Sequence, residues 1–343
     1  MRTRHGVAFA TFTTLRVGGP AAELVEVADR NELFDAFASA NTQGCLVVGG
    51  GSNLVVSDEG VDRTVVAIGT KGVDVDVGVE GVRVVASAGE EWDAFVERCV
   101  SDGLAGVEAL SGIPGLVGAT PVQNVGAYGQ EVSDVITRVE VLDRTTQEVR
   151  SLTPTECGFG YRTSQFKREP ERFVILDVEF SLQSSGLGAP VGYAELARHL
   201  GVELGTRVPI GEARQAVIEL RRSKGMVLDD RDHDTWSAGS FFTNPVLAPA
   251  DVPDGAPSWP LDGDRAKVSA AWLIERAGFD KGFGVDVGTG RARLSTKHAL
   301  AITNVGGATT ADVVLLARTV RQGVEDQFGV RLLPEPTLVG VEL

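Results

Sequence analysis

Hydrophobic and polar positions change period several times along the chain, and each change marks an element. Residues 22–27 read as a strand. Asp29 with Glu32 forms a capping pair for a helix carrying Leu33, Phe34, Phe37 and Ala40 on one face and ending at Gly44. The apolar run 45–48 predicts a second strand, and a third over 64–68 closes this unit. The β-α-β arrangement delivers residues 49–53 at a strand's C-terminal end, where open α/β sheets commonly bind ligands. From Gly69 the texture becomes alternating, with Val73, Val75 and Val77 followed by residues 82–86. After Gly89, Trp92, Phe95, Val96 and Cys99 fall at helical spacing and Gly103 stops the helix.

Farther along, 138–142 and 149–152 pair as a hairpin around 143–146, and 173–180 is a further strand. A helix over 211–223 turns Ala213, Val217 and Leu220 inward. The charged stretch 221–236 reads as an inter-domain connection, and the proline-rich 245–260 as loop. A helix over 268–277 ends at Gly278, and 300–303 is a strand. Thr309 or Thr310 caps a long helix with Val313, Leu316, Ala317, Val320 and Val324 inward. A strand over 330–333 and the turn Pro334-Glu335-Pro336 finish the chain.

At 343 residues the chain has room for two or three domains. A net charge of −15 argues against nucleic-acid binding, which needs a basic face. Three widely spaced cysteines (45, 99, 157) make no disulfide framework and no metal site. His5, His199, His233 and His298 have no ligand spacing. The N-terminal residues lack a signal peptide's apolar core, and no apolar run reaches transmembrane length. A cytoplasmic protein without membrane insertion is expected.

Two uncharged glycine-rich loops stand out against this background. The stretch 111–129 has glycines at 112, 115, 118, 126 and 129, prolines at 114 and 121, and the polar groups Ser111, Thr120, Gln123 and Asn124. It contains no Lys or Arg, so an anion there is met by backbone N–H groups. The second loop, Gly49-Gly50-Gly51-Ser52-Asn53, is neither a Rossmann fingerprint nor a P-loop. Leu54 stands where a third glycine should fall, residues 54–56 continue as β-like sequence, and no Gly-Lys-Ser/Thr occurs in the chain. Two such loops suit one elongated ligand, and a flavin dinucleotide fits.

Several side chains can carry chemistry, each with a plainer alternative. Ser240, between Gly239 and Phe241-Phe242, is a small hydroxyl at the mouth of an apolar pocket or simply a turn serine. Asn244 orients a ligand or holds the turn before Pro245. Arg162, among Gly160, Tyr161, Thr163 and Ser164, delivers a guanidinium to a carboxylate or phosphate, or lies on the surface. Glu335 is a stiffly held carboxylate between prolines, suited to acid/base or orienting work, or a solvated chain-end residue. Tyr193 and the basic group Arg221, Arg222 and Lys224 are anion-binding candidates or a solvated helix end.

Seven segments in order carry a resemblance across nearly the whole chain. They are Thr14-Leu-Arg-Val-Gly-Gly, Gly49-Gly-Gly-Ser-Asn-Leu, Gly112-Ile-Pro-Gly-Leu-Val-Gly-Ala-Thr-Pro-Val-Gln-Asn-Val-Gly-Ala-Tyr-Gly, Tyr161-Arg-Thr-Ser, Gly239-Ser-Phe-Phe-Thr-Asn-Pro, Ala271-Trp-Leu-Ile-Glu-Arg-Ala-Gly and Pro334-Glu-Pro. Together they resemble the bacterial UDP-N-acetylenolpyruvoylglucosamine reductases, in the subclass that keeps a substrate-covering tyrosine loop. The resemblance implies an α+β chain with a two-lobed vanillyl-alcohol-oxidase/PCMH-type FAD-binding fold and a C-terminal α+β substrate-binding domain. The expected parts are 1–68 with 329–343 as FAD lobe one, 69–222 as lobe two and 223–328 as the substrate domain.

It further implies non-covalent FAD, NADPH as reductant, UDP-N-acetylglucosamine enolpyruvate as substrate, and a monomer. Hydride passes from flavin N5 to substrate C3, and Ser240 supplies the proton to C2. Arg162 and Glu335 polarise the enolpyruvyl carboxylate. The cofactor positions carried over are Gly49, Gly50, Gly51, Ser52, Asn53, Leu54, Gly112, Ile113, Pro114, Gly118, Ala119, Thr120, Gln123, Asn124, Gly126, Ala127, Tyr128 and Ile175. The substrate positions are Tyr161, Tyr193, Lys224, Asn244, Trp259 and Lys281. Two departures stand out: Thr13 where the family usually has Asn, and Thr337 where it often has Arg. Another FAD oxidase or dehydrogenase of the same fold, or a non-catalytic sugar-nucleotide-binding module, stays open at this point.

Overall fold

Trp92, Phe95, Val96 and Cys99 share one face of the helix Trp92–Ser101, and all four are buried. They belong to the larger of two compact units in the computed structural model, which describes residues 1–38, 44–78, 81–261 and 263–343. Ala40, expected on the first helix, lies outside the described residues. Unit one comprises Met1–Gly6, Ala22–Gly50 and Asp62–Ser223; unit two comprises Val7–Ala21, Gly51–Val61 and Lys224–Leu343.

The main sheet of unit one is antiparallel, in the order Glu148–Leu152, Ile136–Asp143, Phe173–Ser184, Val82–Ser87, Val73–Val77. Leu104–Ala105 pairs with the far end of Phe173–Ser184. Period-two alternation sends Val82, Val84, Ala86, Val139, Val178 and Phe180 into the core. Trp92 packs there against Phe95 and Phe180 at centroid distances of 5.6 and 6.2 Å, and its indole N–H donates to the Leu110 carbonyl at 2.9 Å. Burying a side chain of this size contributes roughly 1.5–3 kcal/mol. The outward residues are charged and pair with each other, as Arg83 does with Glu179 at 2.7 Å.

A four-stranded sheet, mostly within unit one, runs Arg2–Ala8, Pro20–Val27, Val61–Ile68, Leu46–Val48. The helix Arg30–Ala38 crosses over it, opened by the expected pair Asp29 and Glu32. The Glu32 N–H donates to Asp29 Oδ1 at 2.9 Å, and the Ala28 N–H donates to Glu32 Oε2 at 2.8 Å. A smaller cluster joins the helices Ala194–Leu200 and Ile210–Ser223 through Leu196, Ala197, Val217 and Leu220.

In unit two the helix Thr310–Phe328 buries Val313, Leu316, Ala317, Val320 and Val324. Thr309 is its cap, and Gly329 closes it at φ +67°. The strands Ser237–Ser240, Ala301–Asn304 and Ala292–Leu294 form one sheet, and Val246–Leu247, Arg265–Val268 and Ser258–Leu261 another.

Three expectations change. Residues 330–333 alternate in and out like a strand (Val330 and Leu332 buried) but belong to no sheet; the strand is Thr337–Val339, parallel to Leu54–Val56. Pro334 and Pro336 lack the N–H that a continuous ladder needs. Val268 ends a strand rather than opening a helix, because Ser269 caps Ala270–Arg276 by accepting from the Trp272 N–H at 3.2 Å. Within 245–260, read as loop, two short strands form. The cysteines are buried, and burial pushes the Cys99 and Cys157 thiols up to about 12. No helix among the described residues is long and apolar enough to cross a membrane.

Candidate active site

In unit one the two glycine loops touch. A Cβ on Gly50 would lie 3.1 Å from Gly115 Cα, and one on Gly49 would lie 3.5 Å from Leu116. Gly118 is pressed against Ala88, donating its N–H to the Ala88 carbonyl at 2.9 Å. The Gly112 N–H donates to Asp93 Oδ1 at 2.6 Å, and Arg214 grips both oxygens of the same carboxylate at 2.6 and 3.1 Å. Burial opposes ionisation of Asp93, but the Arg214 and Gly112 hydrogen bonds outweigh it and hold the carboxyl below its ordinary range. Gly50 and Gly118 thus lie too close to their neighbours for a larger side chain, and Asp93 holds the start of the longer loop.

Asn124 and Tyr128 take left-handed backbone conformations, with φ of +47° and +50°. Among the described residues six non-glycines do so, and Arg162 is a third at this place, with φ +52°. Left-handed backbone costs an L-residue roughly 1–2 kcal/mol, and such strain tends to collect at functional sites. Arg162 stands at the tip of a tight turn in which Gly160 and Thr163 exchange backbone hydrogen bonds at 3.1 and 3.2 Å. Its guanidinium donates to the Gly126 carbonyl at 2.8 Å and to the Asn124 carbonyl at 3.4 Å. The ring of Tyr161 lies 5.7 Å from Arg162 Cζ, within cation–π range.

Asn124 itself is buried and engaged within the loop, its amide donating to Glu131 Oε2 at 2.7 Å and its carbonyl accepting from the Ser133 N–H at 3.1 Å. Thr120 likewise donates to the Val117 carbonyl at 2.8 Å, and Ile175 is a core residue of the main sheet opposite Val141. Tyr128 and Tyr193 meet edge-on at 5.5 Å. Burial pushes the Tyr128 hydroxyl up to about 12 and that of Tyr193 above its ordinary value. Arg221 is a cation whose field reaches Tyr128 and Asp93.

Unit two assembles a second group. The strand Ser237–Ser240 slips register against Ala301–Asn304 between Ser237 and Ser240, with Gly239 at φ +77°. Such a bulge re-aims the side chain at its end. Ser240 is half-buried, and Phe241 and Phe242 after it are buried. The Glu335 N–H donates to the Phe241 carbonyl at 2.9 Å, and Phe242 forms a bridge with Pro334. Asn53 joins the pair, its amide 3.5 Å from the Glu335 carbonyl and its own carbonyl accepting from the Thr337 N–H at 2.9 Å. Thr14 ties down the start of this strand, donating to the Ser237 carbonyl at 2.7 Å and to that of Ser52 at 3.3 Å.

The structure therefore brings Ser240, Glu335 and Asn53 together, and separately Arg162, Tyr161, Asn124, Gly126, Tyr128 and Tyr193. Asn244 lies three residues beyond Phe241 and accepts from the Ala270 N–H, the first of the helix Ala270–Arg276, at 2.9 Å. Trp259 is an exposed strand residue with Lys267 Nζ 5.8 Å from its ring, and Lys281 is exposed. Lys224 opens the last segment of unit two. Sequence reasoning missed Asp93, Arg214 and Glu131, which hold the glycine loop. The signal for Asp93 was faint: a carboxylate beside Trp92 on an otherwise apolar helix start.

The residues suit a flavin dinucleotide. The loops approach each other closely where they carry no side chain, at Gly50 and Gly115, and have no lysine or arginine of their own, as suits an uncharged cradle for a pyrophosphate. Residues 21–152 match the family of the FAD binding domain. The fold and these loops define an FAD-binding oxidoreductase. Residues 230–339 match the C-terminal domain of UDP-N-acetylenolpyruvoylglucosamine reductase.

The enzyme of that name from Saccharopolyspora erythraea is 55% identical over 98% of this chain and 96% of its own, and that from Thermobifida fusca is 53% identical over 99% and 98%. The crystal structure of the reductase from Thermus caldophilus superimposes with a TM-score of 0.69 at 28% identity, covering 99% of both chains. The chain belongs to the UDP-N-acetylenolpyruvoylglucosamine reductases.

Proposed function

We propose that Ser240, Glu335 and Arg162 carry the reduction of UDP-N-acetylglucosamine enolpyruvate to UDP-N-acetylmuramate, with NADPH as electron source, in the cytoplasm. Gly49–Leu54 and residues 112–128 hold the FAD, which supplies hydride chemistry when bound. The observation that carries the assignment is the Glu335 N–H to Phe241 carbonyl bond of 2.9 Å, which pins a proline-flanked carboxylate beside the residue following Ser240.

Ser240 donates the proton to C2 of the enolpyruvyl group. A serine hydroxyl is a weak acid, so the transfer is driven by negative charge developing on the substrate. Arg162 meets that charge at the carboxylate. Its backbone is already strained into place and its guanidinium oriented by the Gly126 carbonyl. A donor organised in advance is typically worth about 3 kcal/mol of barrier. Glu335 orients the same carboxylate group, and Tyr193 covers the substrate. Tyr161, Lys224, Asn244, Trp259 and Lys281 complete the nucleotide-sugar contacts. The parallel pairing of Thr337–Val339 with Leu54–Val56 supports a first FAD lobe built from both chain ends.

Anaerobic half-reactions test this reading. Ser240→Ala is expected to bleach its flavin with NADPH at nearly the unaltered rate, while reoxidation by the enolpyruvyl nucleotide stops. Equal loss of both half-reactions would remove Ser240 from the role.

A further inference from the structure

Glu108 is 2% exposed in the otherwise apolar run of residues 104–110. Its carboxylate accepts three hydrogen bonds. Oε2 takes the Gly106 N–H at 2.6 Å, and Oε1 takes both Gln130 Nε2 and the Ala189 N–H at 2.9 Å. Gln130 in turn accepts from the Ala109 N–H at 2.8 Å. A carboxylate can accept about four such bonds, so one side chain here joins separate pieces of backbone.

Two of those pieces lead to the tyrosines. Gln130 opens the return strand of the hairpin whose turn carries Tyr128 and Gly129. Ala189 belongs to the segment that leads into Tyr193, the cap residue of Ala194–Leu200. The segments also meet at their far ends, through the edge-on Tyr128–Tyr193 contact and through Gly129, whose Cβ position lies 3.4 Å from Gly192. Gly188 leaves room for the clamp, because a Cβ there would lie 2.7 Å from Glu108 Oε1.

We infer that Glu108 is a positioning residue for the sugar nucleotide: by gripping Gln130 and the Ala189 N–H it sets the Tyr193 segment against the Tyr128 hairpin. This rests on the substrate-covering role proposed for Tyr193. Glu108 acts through the placement of the Tyr193 segment, so its effect is expected in substrate KM.

Gly188→Ala leaves Glu108 in place but displaces Oε1 from the Ala189 N–H, and Glu108→Ala removes the clamp outright. In the flavin-loaded enzyme Gly188→Ala is expected to raise KM for the enolpyruvyl nucleotide about tenfold, the scale of one lost hydrogen bond to a charged group, and Glu108→Ala by at least as much. Flavin reduction at saturating NADPH should stay near the unaltered rate. In a Tyr193→Ala background Gly188→Ala should add almost nothing. An unchanged KM in Gly188→Ala, a parallel fall in flavin reduction, or full additivity with Tyr193→Ala would each overturn the inference. Should Glu108→Ala fail to fold, Gly188→Ala alone decides. Failure of the unaltered enzyme to reoxidise its flavin with this nucleotide would overturn the functional reading as well.

Discussion

Gly118→Ala is a sharp probe of the cradle because the backbone at this position permits alanine and only the space forbids it. A Cβ there would sit 2.5 Å from Ala88 Cβ, 2.9 Å from its Cα and 3.1 Å from its carbonyl oxygen. Non-bonded carbons prefer about 3.5–4.0 Å, so something must retreat by about 1 Å. Ala88 cannot, being buried and tied by its N–H to the Leu176 carbonyl at 2.8 Å. The 117–119 turn must lift instead, which breaks the 2.9 Å bond from the Gly118 N–H to the Ala88 carbonyl. Overpacking of this kind costs about 1–3 kcal/mol and the lost hydrogen bond about 1, giving about 2–4 kcal/mol together.

For a unit of this size that lowers the melting temperature by roughly 5–15 °C, and flavin release should precede loss of far-UV ellipticity because the shifted turn belongs to the cradle. Thermal melts followed by flavin fluorescence and circular dichroism measure both. Gly211→Ala is the control, since nothing lies within 4 Å of its Cβ position and it sits in the helix Ile210–Ser223. It should melt level with the unaltered protein or slightly above it. Gly118→Ala that melted with Gly211→Ala and kept its flavin would refute the reasoning.

Other perturbations follow from buried charge and capping. Burial opposes ionisation of Asp143, but hydrogen bonds from Arg172, the Thr145 N–H and Arg150 hold its carboxyl below the ordinary range. Its stabilising effect is therefore present above about pH 4 and lost as pH falls through the lowered value. Asp143→Asn should cost about 3 kcal/mol at neutral pH, the low end for a broken buried pair because both arginines are partly solvated, and should flatten the acid limb of a stability-against-pH curve. A full-depth acid limb in the variant would exclude Asp143 as its source. In unit two, Thr309 accepts from the Asp312 N–H at 3.2 Å while Asp312 accepts from the Thr309 N–H at 3.0 Å. Thr309→Ala should cost about 1 kcal/mol in chemical denaturation, and an unchanged midpoint would show the cap to be redundant.

The chain's local chemistry determined a good deal alone. Helical spacing of Trp92, Phe95, Val96 and Cys99, the Asp29–Glu32 cap, Thr309 before its apolar face and the neutral glycine loops all depend on residues within a turn or two of one another. The ordered motifs around them were enough to point to an FAD enzyme acting on a sugar nucleotide. Tertiary packing decided which polar groups face a ligand and which hold the frame. Asn124 and Asn244 look alike in the sequence, yet the fold gives one Glu131 as a partner and the other the Ala270 N–H. It also placed Glu335 against Phe241, moved the last strand from 330–333 to Thr337–Val339, and gave the isolated Glu108 three dispersed donors, two backbone N–H groups and the Gln130 side-chain amide. A buried donor or acceptor must find a partner wherever the fold supplies one, and sequence neighbours do not reveal which distant segment that is.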